Sequence, residues 1–320
     1  MRLLFCGTPQ FAVPTLKHLL TQPDLEIIGV ITQPDRPRGR GQQVSFSPVK
    51  EVALAAKIPV HQPEKIRAPE TEELLRQLAP HCIVIIAYGQ IIPARLLSIP
   101  KHGWINLHAS LLPKYRGAAP IHWAIVNGET RTGVTTMRID AGMDTGDMLL
   151  QREIEIGARE IAPELTARLA DIGAPLMVET LRGLAANTIV PRPQDCAEAT
   201  HAPLLKKEDG RIDWNRPAPE IFNRMRGFAP WPGAYTTFRG QTCHLWGEPV
   251  SKGVDEGSSP GAAGAAPGTM LGEKNEWFVC CRDATVLRVL SVKLEGRKQV
   301  SASEFASGAR LKTGERFGDT

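Results

Sequence analysis

Cys82-Ile83-Val84-Ile85-Ile86-Ala87-Tyr88-Gly89 begins with an apolar run that shows no polar alternation and then turns at Tyr88-Gly89. A strand with one wet face alternates; a strand covered on both faces by helices does not. Cys82–Ala87 therefore reads as the central strand of a helix-covered sheet, with Tyr88 and Gly89 at its carboxyl end, where such sheets place ligands. Working outward, strands are expected at Arg2–Cys6, Glu26–Thr32, Gly103–Ser110, Gly133–Ile139 and Met148–Ile156. Helices are expected at Phe11–Leu20, Pro48–Lys57, Glu70–Ala79, near Pro120–Asn127 and from about Ala162 to Ala186. This alternation predicts an α/β fold with a doubly wound, mostly parallel sheet.

Asn187–Leu205, with Pro191, Pro193 and Pro203, reads as a connector. A short helix is expected over Pro219–Gly227. Short β-rich runs follow at Ala234–Phe238, Thr242–Trp246, Trp277–Cys281 and Thr285–Leu290, broken by Gly and Pro, which predicts a small β-barrel. Ser251–Gly268, rich in Gly, Ala and Ser, is expected to be a loop inside the barrel.

A chain of 320 residues, 42% hydrophobic and 22% charged, folds and has enough length for two domains. Met1–Cys6 is too short for a signal-peptide core, and no apolar stretch approaches the roughly 20 residues of a membrane span, so a soluble, cytoplasmic, non-membrane protein is expected. The six cysteines form no C-x-x-C pair, which suggests neither a disulfide framework nor a zinc site. A net charge of +4 permits an anionic partner without requiring one; residues 201–320, with 17 Lys and Arg against 14 Asp and Glu, hold most of the excess.

The chemistry-bearing stretch is Trp104-Ile-Asn-Leu-His-Ala-Ser110. Side chains two apart on a strand share a face, so Asn106, His108 and Ser110 are expected to project together. Asp144, between Gly142 and Gly146, sits where a tight turn can deliver a short carboxylate. An amide donor, an imidazole and a carboxylate suit acyl transfer. Taken singly, His108 reads as a hydrogen-bonded core histidine and Asp144 as a turn residue; the combination is what carries the catalytic reading. Gly7-Thr8-Pro9 follows the first strand without the G-x-G-x-x-G of a dinucleotide loop, which removes the main support for a nicotinamide or flavin enzyme.

The sequence resembles the family of methionyl-tRNA formyltransferases. The resemblance is carried by Phe5-Cys-Gly-Thr-Pro-Gln-Phe11, Thr32-Gln-Pro-Asp-Arg-Pro-Arg-Gly-Arg-Gly41, Ala87-Tyr-Gly89, Ile105-Asn-Leu-His-Ala-Ser-Leu-Leu-Pro113, Arg116-Gly-Ala-Ala-Pro-Ile121 and Gly142-Met-Asp-Thr-Gly-Asp-Met148. It continues through Arg211-Ile-Asp-Trp214 and Pro230-Trp-Pro232, so it spans nearly the whole chain. The Asn-x-His, Ser-Leu-Leu-Pro and distant Asp set is shared by folate-dependent formyltransferases generally; the Arg-rich loop and the Ile-Asp-Trp tail point to the tRNA member.

The resemblance implies a Rossmann-like catalytic domain over residues 1–189, a linker over 190–205 and an OB-like, tRNA-binding barrel over 206–320. It implies formyl transfer from 10-formyltetrahydrofolate, without a metal, to the amine of methionine on charged initiator tRNA, by a monomer. Catalysis would fall to Asn106, His108 and Asp144, with Asn106 and a protonated His108 stabilising the oxyanion and Asp144 accepting the proton of the attacking amine. Folate contacts would come from Ser110, Leu111, Leu112 and Pro113, with Tyr88 and Gly89 as an opposite wall; a buried turn closed by Leu111, Leu112 and Pro113 is compatible with that. Contacts to the acceptor arm would come from Arg36, Arg38 and Arg40 in the loop Gln33–Ser47 and from Lys206 and Lys207. The family's loop commonly carries lysines after Gly-Arg-Gly; Gln42 and Gln43 stand there in this chain, which shifts the loop contact onto Arg40 and its neighbours. A formyltransferase for a small amine shares the catalytic set but needs neither the loop nor the tail. A folate hydrolase would release formate without an amine, and a noncatalytic RNA-binding protein has no use for the three residues together.

Overall fold

The computed structural model describes residues 1–38, 43–250, 264–273 and 275–318. It divides into two units, one formed by Met1–Pro120, Arg131–Glu155 and Glu164–Pro203, the other by Ile121–Thr130, Ile156–Pro163 and Leu204–Thr320.

The first unit runs β1 (Arg2–Gly7), α1 (Val13–Leu20), β2 (Glu26–Ile31), β3 (Arg36–Arg38), β4 (Gln43–Ser45), α2 (Pro48–Ala55), β5 (Val60–His61), α3 (Pro69–Leu78), β6 (Cys82–Ile86), α4 (Ala94–Leu97), β7 (Trp104–His108) and β8 (Arg116–Gly117). After α5 (Pro120–Val126) come β9 (Arg131–Arg138), β10 (Met148–Glu155), α6 (Ala162–Ala185) and β11 (His201–Ala202). The main sheet has the order β10-β9-β7-β6-β1-β2-β5. From β7 to β5 the neighbours are parallel, and β9 and β10 add an antiparallel edge. The chain starts in the middle of the sheet at β1, builds outward through β2 and β5, then crosses back to β6 and β7. The direction reverses between β1 and β6, and a crevice opens beyond the carboxyl ends of those strands.

All residues of β6 are buried. At about 1.5–3 kcal/mol for each fully buried Ile or Val, this strand is a principal anchor of the sheet. In β7, Leu107 lies over Gly173 of α6, where an added Cβ would come within 2.5 Å of Leu107 Cδ2. That packing commits the Leu107 face to the helix and leaves Asn106 and His108 for the other face. Pro48 opens α2, and the Ser47 hydroxyl caps it by accepting from Lys50 N at 3.1 Å.

Several sequence expectations are corrected. The loop around Arg36 contains a short antiparallel hairpin, β3 against β4, with Arg38 opposite Gln43. β7 ends at His108 rather than Ser110, because the chain turns there and the Ser110 hydroxyl donates to the Lys114 carbonyl at 2.6 Å. The expected connector is pinned at two places: Arg192 exchanges both backbone bonds with Met148, and β11 runs parallel to β8. It therefore belongs to the first unit as far as Pro203.

The second unit contains α7 (Ala218–Gly227), β12 (Tyr235–Phe238), β13 (Gln241–Pro249), β14 (Met270–Glu273), β15 (Glu276–Cys280), β16 (Val286–Leu294), β17 (Val300–Ser301) and α8 (Ala302–Ala309). Residues 121–130, expected with the first domain, group here because α5 packs on α7: Gly227 gives room for Val126, and Trp123 meets Phe228 edge-on at 5.7 Å. The antiparallel sheet has the order β12-β13-β16-β15-β14. Its two edges are joined by the last described stretch of chain: Gly318 N donates to Thr237 O and Phe317 N to Gly268 O, both at 2.9 Å. Those bonds close the sheet into a barrel. The segment expected as a loop, Ser251–Gly268, lies mostly outside the described residues. No helix among the described residues is long and apolar enough to cross a membrane.

One surface ion pair yields a pH prediction. The Arg182 guanidinium donates to both oxygens of Asp24, at 2.9 and 2.8 Å, and this hydrogen bonding holds the Asp24 carboxyl down at about 2. A carboxyl depressed in the folded state stabilises above its unfolded value and loses that contribution as pH falls. Asp24→Asn should therefore lower Tm slightly at pH 6, and the difference from the parent should vanish between pH 4 and pH 2; a constant difference across that window would remove the pair's role.

Candidate active site

His108 and Asp144 meet. His108 Nδ1 lies 3.6 Å from Asp144 Oδ2, and the His108 side chain is only 6% exposed. Its other ring nitrogen, Nε2, lies 2.9 Å from the carbonyl of Tyr115. A carbonyl only accepts, so Nε2 carries the proton of that bond and Nδ1 is the nitrogen turned toward the acid. At 3.6 Å the pair is too long for a direct hydrogen bond, which leaves room for adjustment when a substrate enters.

Asp144 is held from several sides. Gly117 N donates to Oδ2 at 2.9 Å. The residue adopts φ 53°, a left-handed conformation that costs a non-glycine residue about 1 kcal/mol or more. The loop is pinned by Asp140 Oδ1, which accepts from Gly142 N at 3.0 Å and from the Thr145 hydroxyl at 2.7 Å. Gln194 Nε2 donates to both the Asp144 and the Gly146 carbonyls at 2.8 Å. Gly146 is required sterically, since a Cβ there would lie 1.9 Å from the Arg138 carbonyl oxygen.

Asn106 stands two residues before His108 on β7, half-buried, opposite Met137 of β9 and level with Ile85 of β6. Its carboxamide makes no hydrogen bond with another described residue, so an amide donor remains uncommitted beside the pair. His108 is opposite Thr135. The Thr135 hydroxyl donates to Ser110 O at 2.7 Å and accepts from Leu112 N at 3.1 Å, which ties the Ser110–Pro113 turn to β9. Ser110 is fully buried and Leu112 packs with Met137 and Met148, whereas Leu111 and Pro113 remain half-exposed.

A cavity of about 1140 Å³ lies at the carboxyl ends of β1, β2 and β6 and is lined by Thr8, Gln33, Arg36, Arg67, Tyr88, Gly89 and Ile91, among others. It is not lined by His108 or Asp144; it opens from the neighbouring strand β6 at the topological reversal. The ring of Tyr88 is 2% exposed among Leu4, Ile31 and Ile66, so Tyr88 meets the cavity chiefly through its backbone, and burial pushes its phenol well above the usual tyrosine range. Gln33 Nε2 donates to Tyr88 O at 2.9 Å, and Gln90 joins Gln33 at 3.2 Å, forming a polar floor. The backbone N–H groups of Gly89, Gln90 and Ile91 bond to no other described residue, and Ile91 is 84% exposed. A flat heterocycle needs such groups: edge donors beside apolar walls. Among the described residues no three His, Cys, Asp or Glu side chains converge as metal ligands.

Arg36 is exposed and reaches the cavity rim; Arg38 is placed only by its backbone on β3; Arg40 lies outside the described residues. Lys206 and Lys207 are exposed at the start of a 3-10 turn in the second unit, where Lys206 N donates to Asp209 Oδ2 at 2.7 Å. Gln194, Thr135, Gly117 and the Tyr115 carbonyl escaped the sequence reading. Thr135 alternates on β9 and was open to discovery by its strand register; a Gln in a proline-rich connector carried no local signal.

Comparison with known proteins decides the family. Residues 1–181 match the profile described as "Formyl transferase" and residues 204–310 match "Formyl transferase, C-terminal domain". The chain is 56% identical over 320 residues to the methionyl-tRNA formyltransferase of Solibacter usitatus, covering 100% of this chain and 99% of that one. It is 51% identical over 319 residues to the one from Acidobacterium capsulatum, covering 99% and 100%. The chain belongs to the methionyl-tRNA formyltransferase family. In fold it is similar to an N-formyltransferase from Helicobacter canadensis solved with folinic acid and dTDP-3-aminofucose (TM-score 0.63, 18% identity, 90% of this chain and 98% of that one). It is likewise similar to a 4-N formyltransferase from Francisella tularensis (TM-score 0.61, 16% identity, 78% and 98%). In this family setting, the acid–imidazole pair and the free carboxamide stand at the carboxyl end of β7, beside the crevice.

Proposed function

We propose that the chain transfers the formyl group of 10-formyltetrahydrofolate to the α-amine of methionine on charged initiator tRNA, giving N-formylmethionyl-tRNA for translation initiation in the cytoplasm. The observation that carries this reading is the approach of His108 to Asp144, with Asn106 uncommitted alongside, in a chain matched over its full length by methionyl-tRNA formyltransferases. The free amine attacks the formyl carbon and its nitrogen forms the new C–N bond. The carbonyl oxygen takes up negative charge, which the Asn106 amide and an imidazolium at His108 stabilise. Asp144 takes the amine proton, directly or through water, and the bond to folate N10 breaks as that nitrogen recovers a proton. The backbone of Gly89–Ile91 and the half-exposed Leu111 and Pro113 are the groups suited to hold the pterin. Every group in this reading comes from one chain.

The test is incubation with 10-formyltetrahydrofolate and, separately, charged initiator tRNA, charged elongator methionine tRNA and small amines. Formylation confined to small amines overturns the substrate; formate released without an acceptor overturns transfer. For the basic loop, Arg40→Ala should raise KM for the charged tRNA several-fold and reduce the salt slope of binding by about one, leaving KM for the folate unchanged. An unchanged tRNA affinity removes Arg40 from the contact set.

A further inference from the structure

We infer that Gln194 is a positioning residue for the reaction: its carboxamide fastens the loop carrying Asp144 to the strand that anchors His108. The inference rests on the formyl-transfer reading above and assigns part of that machinery to the connector between the two family profiles, residues 182–203, which neither profile covers.

Gln194 works in two directions at once. Its Nε2 donates to the carbonyls of Asp144 and Gly146, both at 2.8 Å, so both donor positions of the amide are spent on the acid loop. Its Oε1 accepts from Arg116 Nε at 2.9 Å. Arg116 is 6% exposed and stands between two anchors: the Tyr115 carbonyl holds His108 Nε2, and Gly117 N holds Asp144 Oδ2. One neutral side chain thus bridges the backbone of the acid to the segment that fixes both reacting groups. Only an amide offers two donors and an acceptor in this arrangement.

The connector is itself fastened on either side of Gln194. Arg192 exchanges backbone bonds with Met148 at 2.9 and 2.8 Å. Beyond Gln194, Thr200 O accepts from Arg116 N and Thr200 Oγ1 accepts from Tyr115 N, each at 2.8 Å. Gln194 lies where this strap crosses the acid loop. Asp144, in a left-handed backbone conformation and 3.6 Å from His108, needs such a hold, because a displacement of about 1 Å at a reacting group can cost about 100-fold in rate.

Two variants test this. Gln194→Met keeps length and removes every polar contact. Gln194→Glu keeps the acceptor for Arg116 and gains an ion pair with it, but its carboxylate cannot donate to the two loop carbonyls. Both should lower kcat with charged initiator tRNA by about 10- to 100-fold, the loss expected for a displacement of the acid of up to about 1 Å, with KM for folate and tRNA within about two-fold and Gln194→Glu melting at the parent temperature. Independently of turnover, amide exchange over residues 142–147 should accelerate in Gln194→Met and stay unchanged across β6. Were Gln194 merely a strap to Arg116, Gln194→Glu would retain full kcat. Parental kcat in either variant, losses confined to KM, or unchanged exchange over 142–147 overturns the inference. Absence of formyl transfer by the parent enzyme overturns the functional reading instead, and the exchange measurement still decides the role of Gln194.

Discussion

Asp144→Asn should lower kcat by about 10²- to 10⁴-fold while leaving Tm within a few degrees of the parent and KM for both substrates nearly unchanged. The substitution preserves shape. An asparagine Oδ1 can still accept from Gly117 N, and the bonds that shape the loop come from Asp140 and Gln194 rather than from the Asp144 carboxylate. What disappears is the negative charge beside His108 and the acceptor for the amine proton. A steady-state assay with charged initiator tRNA and a melting curve suffice to check it. Because His108 and Asp144 stand 3.6 Å apart and act on one transition state, adding His108→Ala to the variant should cost far less than it does in the parent. A loss under ten-fold for Asp144→Asn, or full additivity in the double variant, would end the assignment of these residues as a pair.

The central sheet was legible because its signals are local. The unbroken apolar run at Cys82–Ile86 and the polar pair Asn106 and His108 two residues apart both follow from side-chain direction on a strand, and the structure has them on neighbouring parallel strands. The end of β7 was not legible: Ser110 continues the alternation on paper, yet its hydroxyl finds the Lys114 carbonyl and its backbone finds Thr135, 25 residues on. The closing of the barrel was equally hidden. Glu315–Gly318 has no strand pattern, and it pairs because β12 and β14 leave edge groups that must be satisfied. Helix α8 is a different case, since Ser301 and Glu304 form a capping box, a local pattern that marks a helix start in the sequence itself. Gln194 marks the limit of local reasoning. Pro191 and Pro193 make its surroundings look like a spacer, and only the fold brings its amide to carbonyls 48 and 50 residues earlier.

Gly117→Ala should be damaging in both stability and rate, and a second glycine isolates the reason. Gly117 has φ 119°, and an added Cβ would lie 2.7 Å from the Ala202 carbonyl oxygen and 3.3 Å from its carbon. Neither atom is the free end of a flexible side chain; both belong to backbone paired with β8. The methyl group must therefore push β8 away from the strap or rotate the Gly117 peptide, and that peptide's N–H is the donor to Asp144. Strain and lost packing of this kind cost about 1–3 kcal/mol, read by urea unfolding, and a shift of about 1 Å in the acid should lower kcat by about 100-fold. Gly103, just before β7, has φ 76° with nothing within 4 Å of an added Cβ. Gly103→Ala thus bears the conformational cost alone, about 1 kcal/mol, and should keep kcat within two-fold of the parent. If the two variants lost rate equally, the loss would follow from weakened folding, and the Gly117 N–H would have no separate part in holding the acid; a rate loss confined to Gly117→Ala ties catalysis to that single hydrogen bond and to the close approach of the connector that enforces it.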